Sequence, residues 1–168
     1  TGEIRPIAEI VDEAYLRLSE LAALGGKLSG SSSGYQRIDK LVGGLNKSDL
    51  ILLAARPGVG KTAFALNIAR HVAVVEKKPV AIFSLEMSDV QLVFRMFSNE
   101  ASIDGARLRV GDIATGSEEW AALAEAADIL GCSHMQIDDS AGTTVAEMKG
   151  KLRRERELEL GLAAADRS

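Results

Sequence analysis

A glycine-rich stretch near the middle of the chain has the residue types and the spacing of a phosphate-binding loop. It reads Ala55-Arg56-Pro57-Gly58-Val59-Gly60-Lys61-Thr62, which matches the pattern G-x-x-x-x-G-K-[ST] except that alanine replaces the first glycine. In such loops backbone N–H groups hold phosphate oxygens, the lysine reaches the β- and γ-phosphates, and the threonine hydroxyl coordinates Mg²⁺. We therefore expect this loop and Ala63 to bind a nucleotide, with Lys61 on the phosphates and Thr62 on the metal.

The segments on either side give the motif the local context that it requires. An apolar run over residues 50–54 precedes the loop and predicts a buried strand, and a helix-forming run over residues 63–70 follows it. A strand, a tight loop and a helix in this order favour a nucleotide site over a chance Gly-Lys-Thr in a turn. Gly58 and Gly60 would let the backbone close around phosphates without a Cβ in the way.

Further apolar runs alternate with helical patterns along the rest of the chain. Strands are predicted over residues 80–85 and 135–138, helices over 88–101, 117–130 and 143–158, irregular structure over 108–115, and a last apolar run over 160–165. Strands that alternate with helices favour an α/β fold, with a parallel sheet that helices cover on both faces. Ligands bind such sheets at the carboxyl ends of the strands. Thr62, Glu86 and Asp166 all lie at or just beyond predicted carboxyl ends.

Glu86 is the best candidate for the chemistry that hydrolysis of a nucleotide would need. Hydrolysis requires an oriented water as well as a held metal, and Glu86 follows the strand that comes after the phosphate-loop helix. A surface glutamate near a helix start, favoured there by the helix dipole, explains the same position. The residues alone leave both interpretations open.

Residues 1–34 are expected to lie outside the nucleotide domain. Residues 6–24 carry an apolar stripe at helical spacing and predict an amphipathic linker helix, which packs either on its own domain or on a neighbouring subunit. Residues 25–34 are rich in glycine and serine and predict a flexible linker. The predicted organisation is therefore a helix over 1–24, a linker over 25–34 and the nucleotide-binding domain over 35–168.

Composition favours a soluble protein of the cytoplasm. The 168 residues include 46% hydrophobic and 26% charged residues, with a net charge of −4 and a single cysteine, Cys132. One cysteine excludes an intrachain disulfide and fits a reducing compartment. We expect neither a membrane span nor a signal peptide, because no apolar run approaches the required ~20 residues. The acidic balance argues against a surface devoted entirely to nucleic acid.

Two charged features near the C-terminus favour structural roles. The basic side chains of residues 149–156 are interleaved with glutamates inside and beside this range, Glu147, Glu155, Glu157 and Glu159. This pattern predicts a solvated helix with internal ion pairs rather than a nucleic-acid patch. Asp138-Asp139 predicts a turn at the end of a strand rather than a metal pair.

Three segments together resemble the RecA-like ATPase domain of DnaB-type replicative DNA helicases. They are residues 53–69, the run Phe83-Ser84-Leu85-Glu86-Met87-Ser88, and Ile137-Asp138-Asp139-Ser140. Tyr35, Ile38-Asp39 and Gly43-Gly44-Leu45 resemble the entry to that domain. The resemblance runs from about residue 35 to the C-terminus and implies a RecA-like P-loop NTPase fold that uses ATP and Mg²⁺.

The resemblance also implies roles for individual residues. Glu86 matches the family's catalytic glutamate, and Lys61 serves the nucleotide as a second catalytic residue. Asp166 follows an apolar run where the family has its Walker B aspartate, so it would share the metal with Thr62. The aromatic-rich continuation that the family has after that aspartate is not present, and Arg167 and Ser168 stand there instead.

The family's assembly and substrate follow as further expectations. In the family the linker helix docks on the adjacent subunit of a hexameric ring, which implies a homo-hexamer for the intact parent protein. Single-stranded DNA is the expected substrate of that parent, whose ATP hydrolysis drives translocation and duplex unwinding. Because the family's later strands, DNA-contacting loops and arginine finger lie beyond the Walker B strand, we expect a domain truncated near that strand and inactive alone.

Two alternative interpretations stay open at this point. Other RecA-like ATPases, such as recombinases or circadian-clock-type ATPases, share the Gly-Gly-Leu entry and the phosphate loop, although the run over residues 83–88 favours the helicases. A non-catalytic interaction module, in which the first helix captures a neighbour, is the alternative from a different class.

Overall fold

The computed structural model describes residues 4–23, 25, 28–47 and 49–165, with side chains described as far as residue 156. It divides the chain into two units, Thr1–Ala54 and Ala55–Ser168. The first unit contains α1 (Ile7–Ala23) and α2 (Gln36–Val42). The elements of the second unit are α3 (Lys61–Arg70), a π-helical turn (His71–Val75), β1 (Val80–Phe83), α4 (Asp89–Glu100), α5 (Gly105–Val110), α6 (Glu118–Gly131), β2 (Met135–Asp138) and α7 (Val145–Ala165).

The predicted amphipathic helix of the first unit is present as α1. None of its residues is buried, and the apolar side chains of its stripe, Ile7, Leu18 and Leu21 among them, are exposed. Burying apolar surface is the main source of stability for a helix of this length. The stripe of α1 is therefore left without a covering surface in the part of the chain that the structure describes.

The second half of the glycine- and serine-rich stretch is bonded to the rest of the first unit. Ser31 and Leu45 form an antiparallel bridge, with N···O distances of 3.0 and 2.8 Å. A Cβ on Gly30 would lie 2.5 Å from the carbonyl carbon of Leu45, so only glycine fits there. The buried carboxylate of Asp39 accepts hydrogen bonds from the hydroxyl of Ser32 and from the backbone and hydroxyl of Ser33. Composition predicted flexibility here, whereas these contacts attach the stretch to α2.

The prediction of a strand over residues 50–54 is wrong. The segment has no regular secondary structure, and Leu50 and Leu52 are 86% and 85% exposed. A strand needs a neighbour to bond its backbone N–H and C=O groups. Among the described residues β1 and β2 pair with each other, and no strand pairs with residues 50–54.

The second unit is built on a two-stranded parallel sheet. Val80 lies opposite Met135, and the register continues to Phe83 opposite Asp138. The core cluster of Leu66, Leu92 and Met96 packs with Ile82 and Ile137, which places α3 and α4 on one face. Successive side chains of a strand point to opposite faces, so Gln136, which donates to Glu155 of α7, faces the other. Helices therefore lie on both faces of the sheet, as predicted.

Two helices of this unit, α4 and α6, begin at the predicted caps. Ser88 accepts from the Gln91 N–H at the start of α4, and Ser117 accepts from the Trp120 N–H at the start of α6. Residues 108–110, predicted as irregular, instead complete α5, which Asp104 caps and Gly111 ends in the left-handed conformation. Local capping chemistry thus makes a short helix where the apolar periodicity is too weak to predict one.

The C-terminal expectation of an extended run ahead of Asp166 is also wrong. Residues 160–165 continue α7, because leucine and alanine are strong helix formers and no described strand lies beside them. Asp166 itself lies outside the described residues. No helix among the described residues is both long enough and apolar enough to cross a membrane.

Candidate functional site

The phosphate loop has the backbone conformation that its glycines predict. Gly58 and Gly60 adopt φ values of +80° and +98°, in the left-handed region that side chains disfavour. The Val59 N–H donates to the Arg56 carbonyl at 3.3 Å. Residues 55–60 are all exposed, and nothing lies within 4 Å of where a Cβ would stand on either glycine. The loop is thus turned by its glycines and open to solvent.

Helix α3 begins directly after this loop without a side-chain cap. Gly60 is its N-cap and offers no side-chain acceptor, and the first helical bond runs from the Phe64 N–H to the Gly60 carbonyl at 2.9 Å. The N–H groups of the first turn of a helix have no partner within the helix and carry a partial positive charge. Lys61 is exposed on this turn, and Thr62 and Ala63 are half-buried. The turn therefore combines backbone donors, an ammonium group and a hydroxyl.

These features fit a nucleotide polyphosphate with Mg²⁺. The open space around Gly58 and Gly60 leaves room for phosphate oxygens, and the uncapped N–H groups suit an anion. Mg²⁺ in such sites is held by one or two protein oxygens together with phosphate oxygens and waters. The described residues contain no group of three His, Cys, Asp or Glu side chains that could hold a metal by themselves.

Packing against α4 holds α3 in place behind the loop. Leu66 is 3% exposed and belongs to the core cluster. The Arg70 guanidinium donates to both carboxylate oxygens of Glu100 at 2.7 and 2.6 Å, and Asn99 donates to Asn67 at 2.7 Å. The bidentate pair fixes geometry as well as distance. Helix α3 is therefore fixed to the helix that follows Glu86.

Glu86 lies exposed at the tip of the turn between β1 and α4. Ser84 closes this turn, since its hydroxyl donates to the Met87 carbonyl at 2.6 Å and accepts from the Met87 N–H at 3.1 Å. The Ser84 N–H donates to the Asp138 carbonyl at 2.9 Å and so continues the ladder to β2. The turn that carries Glu86 is thus closed on itself and bonded to β2 at its first residue.

A carboxylate and lysine cluster at the end of β2 was not predicted as part of a site. The Asp138 carboxylate accepts from the backbone and hydroxyl of Ser140 and forms an ion pair with Lys151 of α7. The hydrogen bond from Lys151, followed by those from Ser140, lowers the pKa of Asp138 to about 2. The Asp139 carboxylate accepts from the Asp89 N–H at 3.2 Å. The Asp-Asp pair is a strand-end turn, as predicted, but one that contacts two helices.

A second ion-pair cluster shows that charge pairing alone does not mark a site. Arg107 of α5 donates to both oxygens of Glu119 of α6 at 2.6 and 2.9 Å and also pairs with Asp112. The hydrogen bond from Arg107 lowers the pKa of Glu119. This cluster joins α5 to α6 and involves none of the predicted site residues.

The structure brings together only part of the predicted site. Lys61 and Thr62 share the first turn of α3, and Glu86 follows β1, as expected. The strand predicted to end at the phosphate loop is not formed, and Asp166 lies outside the described residues. In the described part of the chain, Thr62, Glu86 and Asp166 are therefore not seen together at one edge of the sheet. A cleft of about 390 Å³ between the sheet and α7 is lined by Ala81, Gln136 and Leu152 among others, and by none of the predicted site residues.

Relatives in sequence point to one family. The family model of the DnaB-like helicase C terminal domain matches residues 30–166. The replicative DNA helicase DnaC of Bacillus subtilis (strain 168) is 40% identical over 167 residues, which are 99% of this chain and 36% of that protein. The replicative DNA helicase DnaB of Geobacillus stearothermophilus has the same identity and coverage. The chain thus spans about a third of the length of these curated relatives.

Solved structures agree with the sequence relatives. One of them, described as an ATPase domain, has a TM-score of 0.79 at 28% identity and covers 92% of this chain and 53% of its own. A DnaB-like replicative helicase, described with its interactions with primase, has a TM-score of 0.78 at 29% identity over 94% of this chain and 36% of its own. These matches confirm the predicted RecA-like α/β fold and favour the helicases over recombinases and clock-type ATPases. The chain belongs to the family of the DnaB-like helicase C-terminal domain.

Proposed function

We propose that this chain is the nucleotide-binding part of the motor of a replicative DNA helicase. The motor couples ATP hydrolysis to translocation on single-stranded DNA and to duplex unwinding during DNA replication. The observation that carries the proposal is the uncapped start of α3, with Gly58 and Gly60 at positive φ and Lys61 exposed beside them. The names of the relatives, which are replicative DNA helicases, support the same function.

Each residue of the site has a proposed role. The backbone of residues 55–63 and the Lys61 ammonium bind the phosphates of ATP, and the Thr62 hydroxyl holds Mg²⁺ together with Asp166. Bound Mg-ATP supplies a phosphoanhydride whose hydrolysis is strongly favourable. Glu86 orients and polarises the attacking water, which requires its carboxylate to be charged and solvent-accessible. Its exposed position at the tip of a turn is compatible with that role.

The proposal includes a homo-hexameric assembly. Helix α1 exposes its apolar stripe and buries none of its residues, which supports docking on the adjacent subunit of a ring. A ring would let one subunit supply groups to the nucleotide of its neighbour. We propose single-stranded DNA as the ligand of the assembled ring rather than of this segment, whose net charge is −4.

Nucleotide binding is tested by thermal unfolding with and without a non-hydrolysable Mg-ATP analogue. A ligand that binds the folded state stabilises it by about 2.7 kcal/mol at a hundredfold excess over Kd. We expect this shift in the unmodified chain, its loss in Lys61→Ala, and its retention in Lys149→Ala, a matched control with an exposed lysine on α7. A cooperative transition without any shift in the unmodified chain would favour the non-catalytic interaction module.

Catalysis is tested in the full-length protein that carries these residues. Glu86→Gln keeps the size of the side chain but removes its charge, so ATP turnover and strand displacement should fall about a hundredfold or more. Binding of the analogue should be unchanged, because the carboxylate does not hold the phosphates. Unaltered turnover in Glu86→Gln would overturn the role proposed for this residue.

A further inference from the structure

The turn that carries Glu86 is held at its far end by a residue that directly follows β2. Asp89 is the first residue of α4, and its N–H is one of the donors that have no partner inside the helix. The Asp139 carboxylate accepts from this N–H at 3.2 Å, across 50 positions of sequence. At the near end, the Ser84 N–H donates to the Asp138 carbonyl at 2.9 Å. Asp138, the last residue of β2, and Asp139, which follows it, therefore bond the two ends of the Glu86 turn.

The other donors at the start of α4 are satisfied locally. The Val90 N–H donates to the carboxylate of its neighbour Asp89 at 2.6 Å, and the Gln91 N–H donates to the Ser88 hydroxyl at 3.3 Å. These contacts shape the first turn of the helix but do not fix it relative to the sheet. The bond to Asp139 differs, because its acceptor belongs to the neighbouring strand connection.

The β2–α7 turn is in turn fixed to a helix. Asp138 pairs with Lys151 of α7, and the Lys151 ammonium also donates to the Ser140 hydroxyl at 3.3 Å. The turn that carries Asp139 is therefore attached to α7, so the Asp139 carboxylate has a fixed position from which it can hold the start of α4. A displacement of about 1 Å at a reacting group can cost as much as a hundredfold in rate, so such an anchor matters for a residue that orients water.

We infer that Asp139 is a positioning residue for Glu86, acting through the N-terminus of α4 and contacting neither nucleotide nor metal. This inference rests on the proposed function of Glu86. A neutral acceptor suffices for the task, because the bond needs an oxygen at the right distance and not a charge. Asparagine in place of Asp139 keeps such an oxygen, whereas alanine removes it.

The test uses steady-state ATP turnover by the full-length protein with Asp139→Ala and Asp139→Asn. We expect Asp139→Ala to lower kcat about ten- to a hundredfold with KM for ATP nearly unchanged, and Asp139→Asn to restore most of kcat. Equal loss in both variants would mean that the charge acts directly and would overturn the positioning role. Full activity in Asp139→Ala would overturn it as well.

Two further variants separate this inference from general destabilisation and from the role of Glu86. Ser117→Ala removes one hydrogen bond from the start of α6. It should lower the thermal unfolding midpoint by about as much as Asp139→Ala does, without changing kcat. The double variant Glu86→Gln with Asp139→Ala should be no slower than Glu86→Gln alone, since groups that act through one another are non-additive. Loss of turnover in Glu86→Gln but not in Asp139→Ala would refute only the positioning role, whereas unaltered turnover in Glu86→Gln would refute the role proposed for Glu86, on which the inference rests.

Discussion

The phosphate loop and the Glu86 turn both precede a helix and both carry proposed site residues, yet their backbones are bonded in opposite ways. Helix α3 begins at a glycine with no side-chain cap. Helix α4 begins with a capping box between Ser88 and Gln91, and the N–H of its first residue bonds to Asp139. One helix start keeps its donors available, and the other has them satisfied.

The difference reflects two different tasks. An anion site needs N–H groups without competing partners, so a capping side chain would occupy the space and the donors that a phosphate requires. A residue that orients water needs a fixed position and makes no demand on the nearby N–H groups. Order in the phosphate loop must therefore come from the packing and hydrogen bonds of α3 behind it, whereas hydrogen bonds hold the ends of the Glu86 turn directly.

Truncating Leu66 tests the dependence of the phosphate loop on packing and has the largest expected effect. Leu66 is 3% exposed in the core cluster of α3 and α4, so Leu66→Ala should lower the free energy of unfolding by about 2–5 kcal/mol. Leu85, 67% exposed beside Glu86, is the matched control. Leu85→Ala should change the free energy of unfolding by less than about 0.5 kcal/mol. Urea unfolding measures both, and equal losses would show that the two regions are not held differently.

Alanine at Gly60 tests whether the loop depends on its backbone conformation. Gly60 has φ +98° with nothing within 4 Å of a Cβ position, so Gly60→Ala meets no clash but costs about 1–2 kcal/mol of backbone strain. Gly150 inside α7 also has open space around it, and Gly150→Ala should stabilise by about 0.5–1 kcal/mol. Thermal unfolding should show a lower midpoint for Gly60→Ala and a higher one for Gly150→Ala. Binding of the ATP analogue should be lost only in Gly60→Ala. Retained binding in Gly60→Ala would contradict the proposed phosphate geometry.

Local patterns were sufficient to predict the glycine-turned backbone of residues 55–60 and the serine caps of α4 and α6. Glycine at positive φ, serine at Ser88 and Ser117, and the short strand at residues 135–138 depend on residues close together in sequence. The order of strands and helices likewise predicted a parallel sheet covered on both faces. The loop conformation, the caps and the short strand are decided within a few residues, whereas the sheet was inferred from the order of the elements along the chain.

Individual contacts between distant residues could not be predicted. Residues 50–54 have the composition of a buried strand, but a strand also needs a neighbour, and none is present among the described residues. The bond from Asp89 to Asp139 joins positions 50 apart, and no spacing rule connects them. The family resemblance identified both segments that meet there, without indicating that they touch.

Acid titration tests the attachment of the β2–α7 turn and has the smallest expected effect. Lys151 and Ser140 lower the pKa of Asp138 to about 2, from an ordinary value of 3.8. A lowered pKa in the folded state means that the unfolded chain binds the proton more tightly, so the charged carboxylate stabilises the fold above its ordinary pKa. That stabilisation should decline as the pH falls below 3.8 and vanish below about 2.

The measurement compares the free energy of unfolding of the unmodified chain and Asp138→Asn across this pH range. The unmodified chain should be the more stable of the two near neutral pH, and the difference should shrink as the solution is acidified. Lys151→Met removes the main cause of the low pKa and should flatten the pH dependence, whereas Lys149→Met on the same helix should not. A difference that stays constant with pH would mean that the ion pair does not hold the turn, and Asp139 would then extend from a support too loose to fix α4 and the glutamate before it.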